Sequence, residues 1–219
     1  MTAPTPLKIR EQMFWLTTER GIYWENESAL ILADLHFGKT GHFRKNGISV
    51  PHAVYKEDLQ RMVELISHFK PKKIIAVGDL FHSADNLELS LFSKIRADFA
   101  SIELILVKGN HDVLADNWYE KNNIQLAYGI YSLSDFNFVH DPAEIPANHS
   151  SFYFSGHLHP AITISGIGKQ SLRFPCYYFT EHEAILPAFS KFSGTAKVTK
   201  KKNNRIFAIV EHSLIEINN

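Results

Sequence analysis

The sequence predicts an α/β fold in which two β-sheets pack together with helices on the outside, and three observations lead there. Short apolar runs of strand length alternate with helical periodicity through the first half, the βαβ pattern of a parallel sheet. From Ile124 onward, strand-like runs follow one another without convincing helices between them. No Pro/Ser-rich linker or compositional shift separates the halves, so residues 1–219 read as one domain.

The elements follow in order. Phe14 to Leu16 and Gly21 to Trp24, separated by TTER, form a first hairpin, and Ala29 to Ala33 is a short buried strand ending at Asp34. Pro51 opens and Pro71 closes a segment in which Tyr55, Leu59, Met62, Val63, Ile66 and Phe69 recur at helical spacing. Lys73 to Val77 is a second strand, stopped by Gly78 and Asp79; Leu91, Phe92, Ile95 and Phe99 mark a second helix. Ile102 to Val107 is a third strand, and Val113 to Lys121 suggests a third helix. Beyond it, Ile124 to Tyr131, Phe136 to Val139, Phe152 to Ser155, Ala161 to Ser165, Cys176 to Phe179 and Ile206 to Val210 are strand-like. Lys200 to Lys202, with Asn203 and Asn204, read as a solvated hairpin tip.

Composition narrows the function. A hydrophobic share of 45% in 219 residues supports a sizeable core. Twenty-three basic residues balance twenty-three acidic ones, so a polyanion would have to be held by a local patch, not a global field. The single cysteine, Cys176, excludes an internal disulfide framework and fits a reducing compartment. Charges interrupt the apolar residues of MTAPTPLKIREQMFWL, and no run approaches the ~18 apolar residues of a membrane span. A cytoplasmic chain with no membrane partner is expected.

Loops leaving the carboxyl ends of parallel strands meet at one edge, where ligand groups converge. Here such ends carry Asp34 with His36, then Asp79, then Asn110 with His111; later apolar runs end at His140 and at His157 with His159. Oxygen donors mixed with imidazoles suit two borderline divalent ions such as Mn, Fe or Zn, and the cysteine count excludes a thiolate site. A pair of ions about 3.5–4 Å apart needs a shared anion, for which Asp79 is the candidate. Asp34, His36 and His159 would hold the first ion and Asn110, His140 and His157 the second. Each short motif recurs by chance in ordinary loops, and a lone histidine such as His140 is more often structural than a ligand. Their joint occurrence at strand ends is what points to a dinuclear centre.

ADLH, GDLFH, GNHD, a later VH and GHLH, in that order from Asp34 to His159, resemble the calcineurin-like metallophosphoesterases. LADLHFGKTGHFRKNGISVP, GDLFHS, GHLHPAITISG, RFPCYYF and ILPAFSKFSG are similar to the bacterial ligase-associated DNA-damage-response endonuclease subfamily often called PdeM. The resemblance implies a four-layer α/β/β/α sandwich and hydrolysis of a phosphate ester. It implies that His111 faces the substrate, with Asp112 holding its imidazole, and that a DNA ligase, a helicase and a second nuclease are associates. The mechanism expected is attack by a hydroxide bridging two divalent ions, with His111 as general acid; Mn2+ is the metal expected, with Fe or Zn as alternatives.

The choice of ester is narrowed by departures from the wider pattern. Phosphoprotein phosphatases of the superfamily carry an Asp and an Arg after GDxx and a Glu after GNH, where this chain has His82, Ser83 and Asp112. Asp141 follows His140 where Gly is common. The stretch from His36 to Lys56 has no acidic residue, so Lys39, His42, Arg44 and Lys45 are candidate substrate contacts, with Phe43 available to stack a base. The plain alternative is a solvated loop. His82 joins the candidates, although the favoured reading is a hydrogen-bonding residue behind the ligands. Lys191 to Arg205, a second acid-free segment with six basic residues, reads as an ordinary hairpin. The function expected is a phosphodiesterase acting as a DNA nuclease in repair. A small-molecule or nucleotide phosphodiesterase or pyrophosphatase is the enzymatic alternative, and a recruitment scaffold the alternative of another class.

Overall fold

The computed structural model describes residues 2–39, 53–81, 86–166 and 170–218. The first sheet runs strictly in chain order: β1 (Thr5–Ile9), β2 (Gln12–Leu16), β3 (Ile22–Trp24), β4 (Ala29–Ala33), β5 (Lys73–Val77), β6 (Glu103–Val107) and β7 (Ile124–Ala127). The pairs from β1 to β4 are antiparallel and those from β4 to β7 parallel. Helices α1 (Ala53–Phe69), α2 (Asn86–Asp98) and α3 (Asp116–Lys121) fill the parallel crossovers. Crossovers of one hand that each step to the next strand put their helices on one face. Accordingly Leu59, Met62, Leu65, Ile66, Phe92 and Tyr119 share a buried cluster with Leu30, Leu32, Ala76 and Leu106.

The opposite face packs on the second sheet, built from β8 (Tyr131–Leu133), β9 (Phe136–Val139), β10 (Phe152–Ser155), β11 (Pro160–Ser165), β12 (Ser171–Phe179), β13 (Glu183–Ile185), β14 (Ala196–Lys197), β15 (Arg205–Val210) and β16 (Ser213–Glu216). Its order is β14-β11-β12-β13-β10-β9-β8, with β15 beside β12 and β16 beside β15. Alternate residues of the two sheets meet in one core: Phe14, Trp24, Ile31, Val77 and Val107 from the first, Phe136, Phe138, Phe154, Tyr177 and Phe207 from the second. Phe14 stacks on Trp24 at 5.4 Å and Phe138 on Phe154 at 5.4 Å; aromatic pairs of this kind each add about 0.5–1.5 kcal/mol beyond burial.

Two mixed sheets with flanking helices are thus the fold that the sequence predicts. All three described helices lie against the first sheet. On the outer face of the second, Cys176, Ile206 and Ala208, which alternate with Tyr177 and Phe207, gather a smaller cluster with Ile162. No described helix is long and apolar enough to cross a membrane.

Several details differ from the sequence reading. Strands β1, β13, β14 and β16 were not predicted, being short or flanked by polar residues. The run from Ile124 to Tyr131 is two strands, broken at Gly129 (φ 70°), where the chain leaves the first sheet for the second. The third helix begins at Asp116, three residues later than expected. Lys200 to Lys202 belong to a connection, but not to a hairpin tip, because β14 pairs with β11 and β15 with β12.

Candidate metal centre

Strand register decides where the polar side chains emerge. Ala33 lies beside Val77 and Val77 beside Val107, so β4, β5 and β6 end level and release Asp34, Asp79 and Asn110 at one edge. In the second sheet Val139 lies beside Ser155, so His140 and the Gly156–His159 turn leave together. Gly156 N donates to His140 O at 3.0 Å within the second edge, and Phe189 N donates to Ala33 O at 2.8 Å, tying the chain beyond β13 to the end of β4. His157 N donates to both oxygens of Asp34, at 2.9 and 3.1 Å.

Two clusters result. In the first, His159 Nε2 lies 3.3 Å from Asp34 Oδ1 and 3.4 Å from His36 Nε2. In the second, His140 Nε2 lies 3.1 Å from both Asn110 Oδ1 and His157 Nδ1. Asp79 stands between them, with Oδ2 3.9 Å from His36 Nε2 and Oδ1 3.5 Å from His140 Nε2. All seven predicted ligands are therefore gathered at one place. The carbonyl of Gly194 accepts from His159 Nδ1 at 2.9 Å and that of Val77 lies 3.5 Å from His140 Nδ1. Such bonds fix the tautomer and leave each Nε2 lone pair facing the cluster.

The backbone is bent to achieve this. Asp34, His36, Asp79, His157 and His159 all have positive φ, between 48° and 64°. Non-glycine residues in this region carry strain of about 1–3 kcal/mol each and persist where the surroundings over-determine them, typically at functional sites. Glycine is required at two neighbours. At Gly78 (φ 74°) an added Cβ would lie 1.9 Å from His140 Nδ1, and at Gly109 one would lie 2.3 Å from Asp79 Oδ1.

His111 is anchored through its main chain, its N donating to Asp79 Oδ1 at 2.9 Å, and its ring centroid lies 5.7 Å from that of His36. The Asp112 carboxylate is bound by main-chain donors. It accepts from Phe81 N at 3.1 Å and from Gly109 N at 2.9 Å, bracing the GDLF turn against the GNHD turn. Burial pushes its carboxyl up to about 6, against the pull of those two N–H groups. Asp141, the departure after His140, caps a 3-10 turn (Pro142–Glu144) by accepting from Ala143 N, and its other oxygen lies 3.8 Å from His157 Nε2. His159 is raised above the ordinary imidazole value: burial alone would lower it, but the bond and charge of Asp34 prevail.

Of the predicted substrate contacts, Lys39 lies beside the first cluster, close enough to feel Asp79 and Asp34, although burial lowers its pKa overall. His42, Arg44, Lys45 and His82 fall outside the described residues. Sequence reasoning missed the segment from Pro187 to Gly194, which binds the edge of β4 and orients His159. The run ILPAFSKFSG was notable only for its resemblance, and a main-chain carbonyl that accepts a hydrogen bond leaves no compositional mark.

The donor set fits divalent cations. Asp34 and Asp79 are 0% and 2% exposed, and among the described residues neither has a Lys or Arg within ion-pair distance. Buried carboxylates and converging imidazole lone pairs need positive charge between them. Asp34, His36 and His159, and likewise Asp34, Asp79 and His140, present donor atoms within 4.8 Å of one another.

Comparison with known proteins agrees. The family model for calcineurin-like phosphoesterases matches residues 28–212. The crystal structure of Pseudomonas putida nuclease MPE is 26% identical, with a TM-score of 0.80 over 94% of this chain and 96% of that one. The E. coli phosphoesterase Yfce is 13% identical, with a TM-score of 0.44 over 86% of this chain and 97% of that one. No curated protein matches. With the family match spanning both side-chain clusters, the chain belongs to the calcineurin-like phosphoesterase family and is a metal-dependent phosphoesterase.

Proposed function

We propose that this protein is a phosphodiesterase that cuts nucleic acid, DNA in the first instance, with residues 1–219 working as one catalytic domain. The observation that carries the phosphoesterase chemistry is Asp79, whose two oxygens face different clusters, one toward His36 and one toward His140. Asp34, His36 and His159 would hold one ion with Asp79, and Asn110, His140 and His157 the other. Two divalent ions, Mn2+ in this proposal, supply charge neutralisation for a phosphoryl group and a water acidified to a pKa of about 7.

The chain's own residues do the rest. His111, fastened at the rim by its main chain, gives its imidazole proton to the departing alkoxide oxygen, a contribution of ~10²–10⁴ in rate. Asp112 fixes the turn that presents it. Lys39 meets the non-bridging oxygens of the phosphate, and His42, Arg44, Lys45 and His82 are proposed as further contacts along the substrate. Because the chain has no net charge, this local set must supply the attraction for a polyanion.

Nucleic acid as substrate is supported by likeness to the P. putida nuclease. A role in DNA repair beside a DNA ligase, a helicase and a second nuclease rests on the motif resemblance alone, and a cytoplasmic location on the single cysteine and the lack of a membrane-length apolar run in the sequence. The test is an assay in Mn2+ comparing a chromogenic phosphodiester, a phosphomonoester, single-stranded DNA, duplex DNA and RNA, with Asp79→Asn as the blank. Cleavage of the diester and of DNA, with the monoester intact and the blank silent, is expected. Turnover of the small diester alone would move the function to a small-molecule or nucleotide phosphodiesterase. Inactivity on every substrate would favour a recruitment scaffold.

A further inference from the structure

Beyond β13, the successive carbonyls of Ala188, Phe189 and Ser190 all accept from arginines. Arg20 Nη1 donates to Ala188 O at 3.1 Å and to Ser190 O at 2.9 Å, and Arg61 Nη2 donates to Phe189 O at 2.5 Å. The N–H groups of the same stretch turn the other way: Phe189 N donates to Ala33 O at 2.8 Å and Ser190 N to Asp34 O at 3.2 Å. The segment therefore lies as a strap between the two arginines and the end of β4, where Asp34 emerges. Further on, Gly194 O accepts from His159 Nδ1 at 2.9 Å, and Ala196 N closes the strap on His159 O at 3.0 Å. One strap thus grips the main chain of Asp34 and the ring of His159, both of them predicted ligands of the first ion.

The arginines are themselves held. Arg61, on α1, is buried; its Nη1 donates to Glu19 O at 2.9 Å, its Nη2 pairs with Asp58 Oδ1 at 2.5 Å, and its guanidinium covers the Phe189 ring at 4.3 Å. Asp58, also buried, accepts from Lys191 N at 3.4 Å as well. A planar guanidinium serves several acceptors at fixed angles, which an ammonium cannot copy. Arg20 sits on the turn between β2 and β3, where Tyr177 Oη lies 2.8 Å from Thr17 O and 2.9 Å from Gly21 O. Burial, and then the charge of Arg61, lower Arg20 to about 10, so it stays charged at neutral pH.

We propose that Arg61 and Arg20 are positioning residues for the first ion: by clamping the strap they fix the Gly194 carbonyl, and through it the His159 ring, against Asp34. Their role rests on the two-ion reading given above. The orientation and basicity of a metal-binding imidazole depend on the acceptor behind it. Here that acceptor is a main-chain carbonyl, which is only as well placed as the strap that carries it. Among the described residues, the strap makes no hydrogen bond to the side chains of Asn110, His140 or His157, so the second ion is beyond the reach of the clamp.

Arg96 supplies the control. It is a buried arginine that also donates to three carbonyls, those of Phe99, Ile102 and Asn123, but at the opposite ends of β6 and β7 from the metal centre. The experiment is chelator competition on the Mn2+-loaded parent, Arg61→Ala, Arg20→Gln and Arg96→Ala, with Asp34→Asn marking the equivalent held by the first cluster and thermal unfolding of the metal-free proteins alongside. Arg61→Ala and Arg20→Gln should weaken that equivalent about tenfold and leave the other within about twofold. Millimolar methylguanidinium should recover most of the loss in Arg61→Ala. Arg96→Ala should unfold at a lower temperature yet keep both equivalents at parental affinity. If Arg61→Ala keeps both affinities, or weakens the two equivalents alike, the positioning role is overturned while the two-ion centre stands; should that chain fail to fold, the less buried Arg20→Gln decides by the same reading. A parent that binds fewer than two equivalents takes both down.

Discussion

The cluster of Asp34, His36 and His159 is the more buried, whereas that of Asn110, His140 and His157 is half open. In the first, Asp34 is fully buried and His159 is fixed through Gly194. In the second, the oxygen donor is the neutral amide of an exposed Asn110, and the His157 side chain is 37% exposed. Each cluster shares Asp79, and the second carboxylate, Asp34, lies nearer the first, its Oδ1 3.3 Å from His159 Nε2 and 3.8 Å from His140 Nδ1. Charge and shielding from water both strengthen cation binding, so the first cluster should hold its ion more tightly and the second should exchange.

The largest effect should come from removing what the clusters share. Asp79→Asn should lose at least one of two metal equivalents and all measurable turnover, read by elemental analysis of the dialysed protein. Full metal content in that variant would break the idea of a common carboxylate. Next, Asp34→Asn and Asn110→Ala separate the clusters. Asp34→Asn should weaken the tighter equivalent, and Asn110→Ala only the looser one, by about 10–100-fold in chelator competition. Equal losses of the same equivalent would erase the distinction.

His111→Asn should leave both equivalents in place while turnover on a phosphodiester falls ~10²–10⁴-fold. Unchanged turnover would remove the general-acid role. The smallest change is expected for Asp141→Asn. It keeps an oxygen to cap the 3-10 turn but removes the charge 3.8 Å from His157 Nε2, so affinity at the looser cluster should drop about tenfold with the tighter one unaffected.

Much of this was legible because strands buried on both faces are continuous apolar runs. β4, β5 and β10 begin and end where the sequence put them, and each is followed by a polar cluster with no other reason to be there. The seven candidate ligands were legible for the same reason. What stayed hidden was set by backbone and tertiary contacts. The break at Gly129 sits in AYGIY, where aromatic and β-branched neighbours mimic a continuing strand. β13 has three residues and takes its place through pairing with β10 on one side and β12 on the other. The bracing by Asp112 uses main-chain N–H groups that every residue possesses, so nothing in GNHD distinguishes it from a grip on the adjacent ring. Lys191 and Phe192 read as part of a solvated hairpin because their nearness to Asp34 depends on a segment folding back across the sheet edge.

The most direct test is an anomalous-difference map from crystals of the Mn2+-loaded protein. Two peaks about 3.5–4 Å apart are expected, one among Asp34, His36 and His159 and one among Asn110, His140 and His157, with an Asp79 oxygen reaching each. A single peak, or a pair that leaves Asp79 outside the coordination of either, would contradict the account.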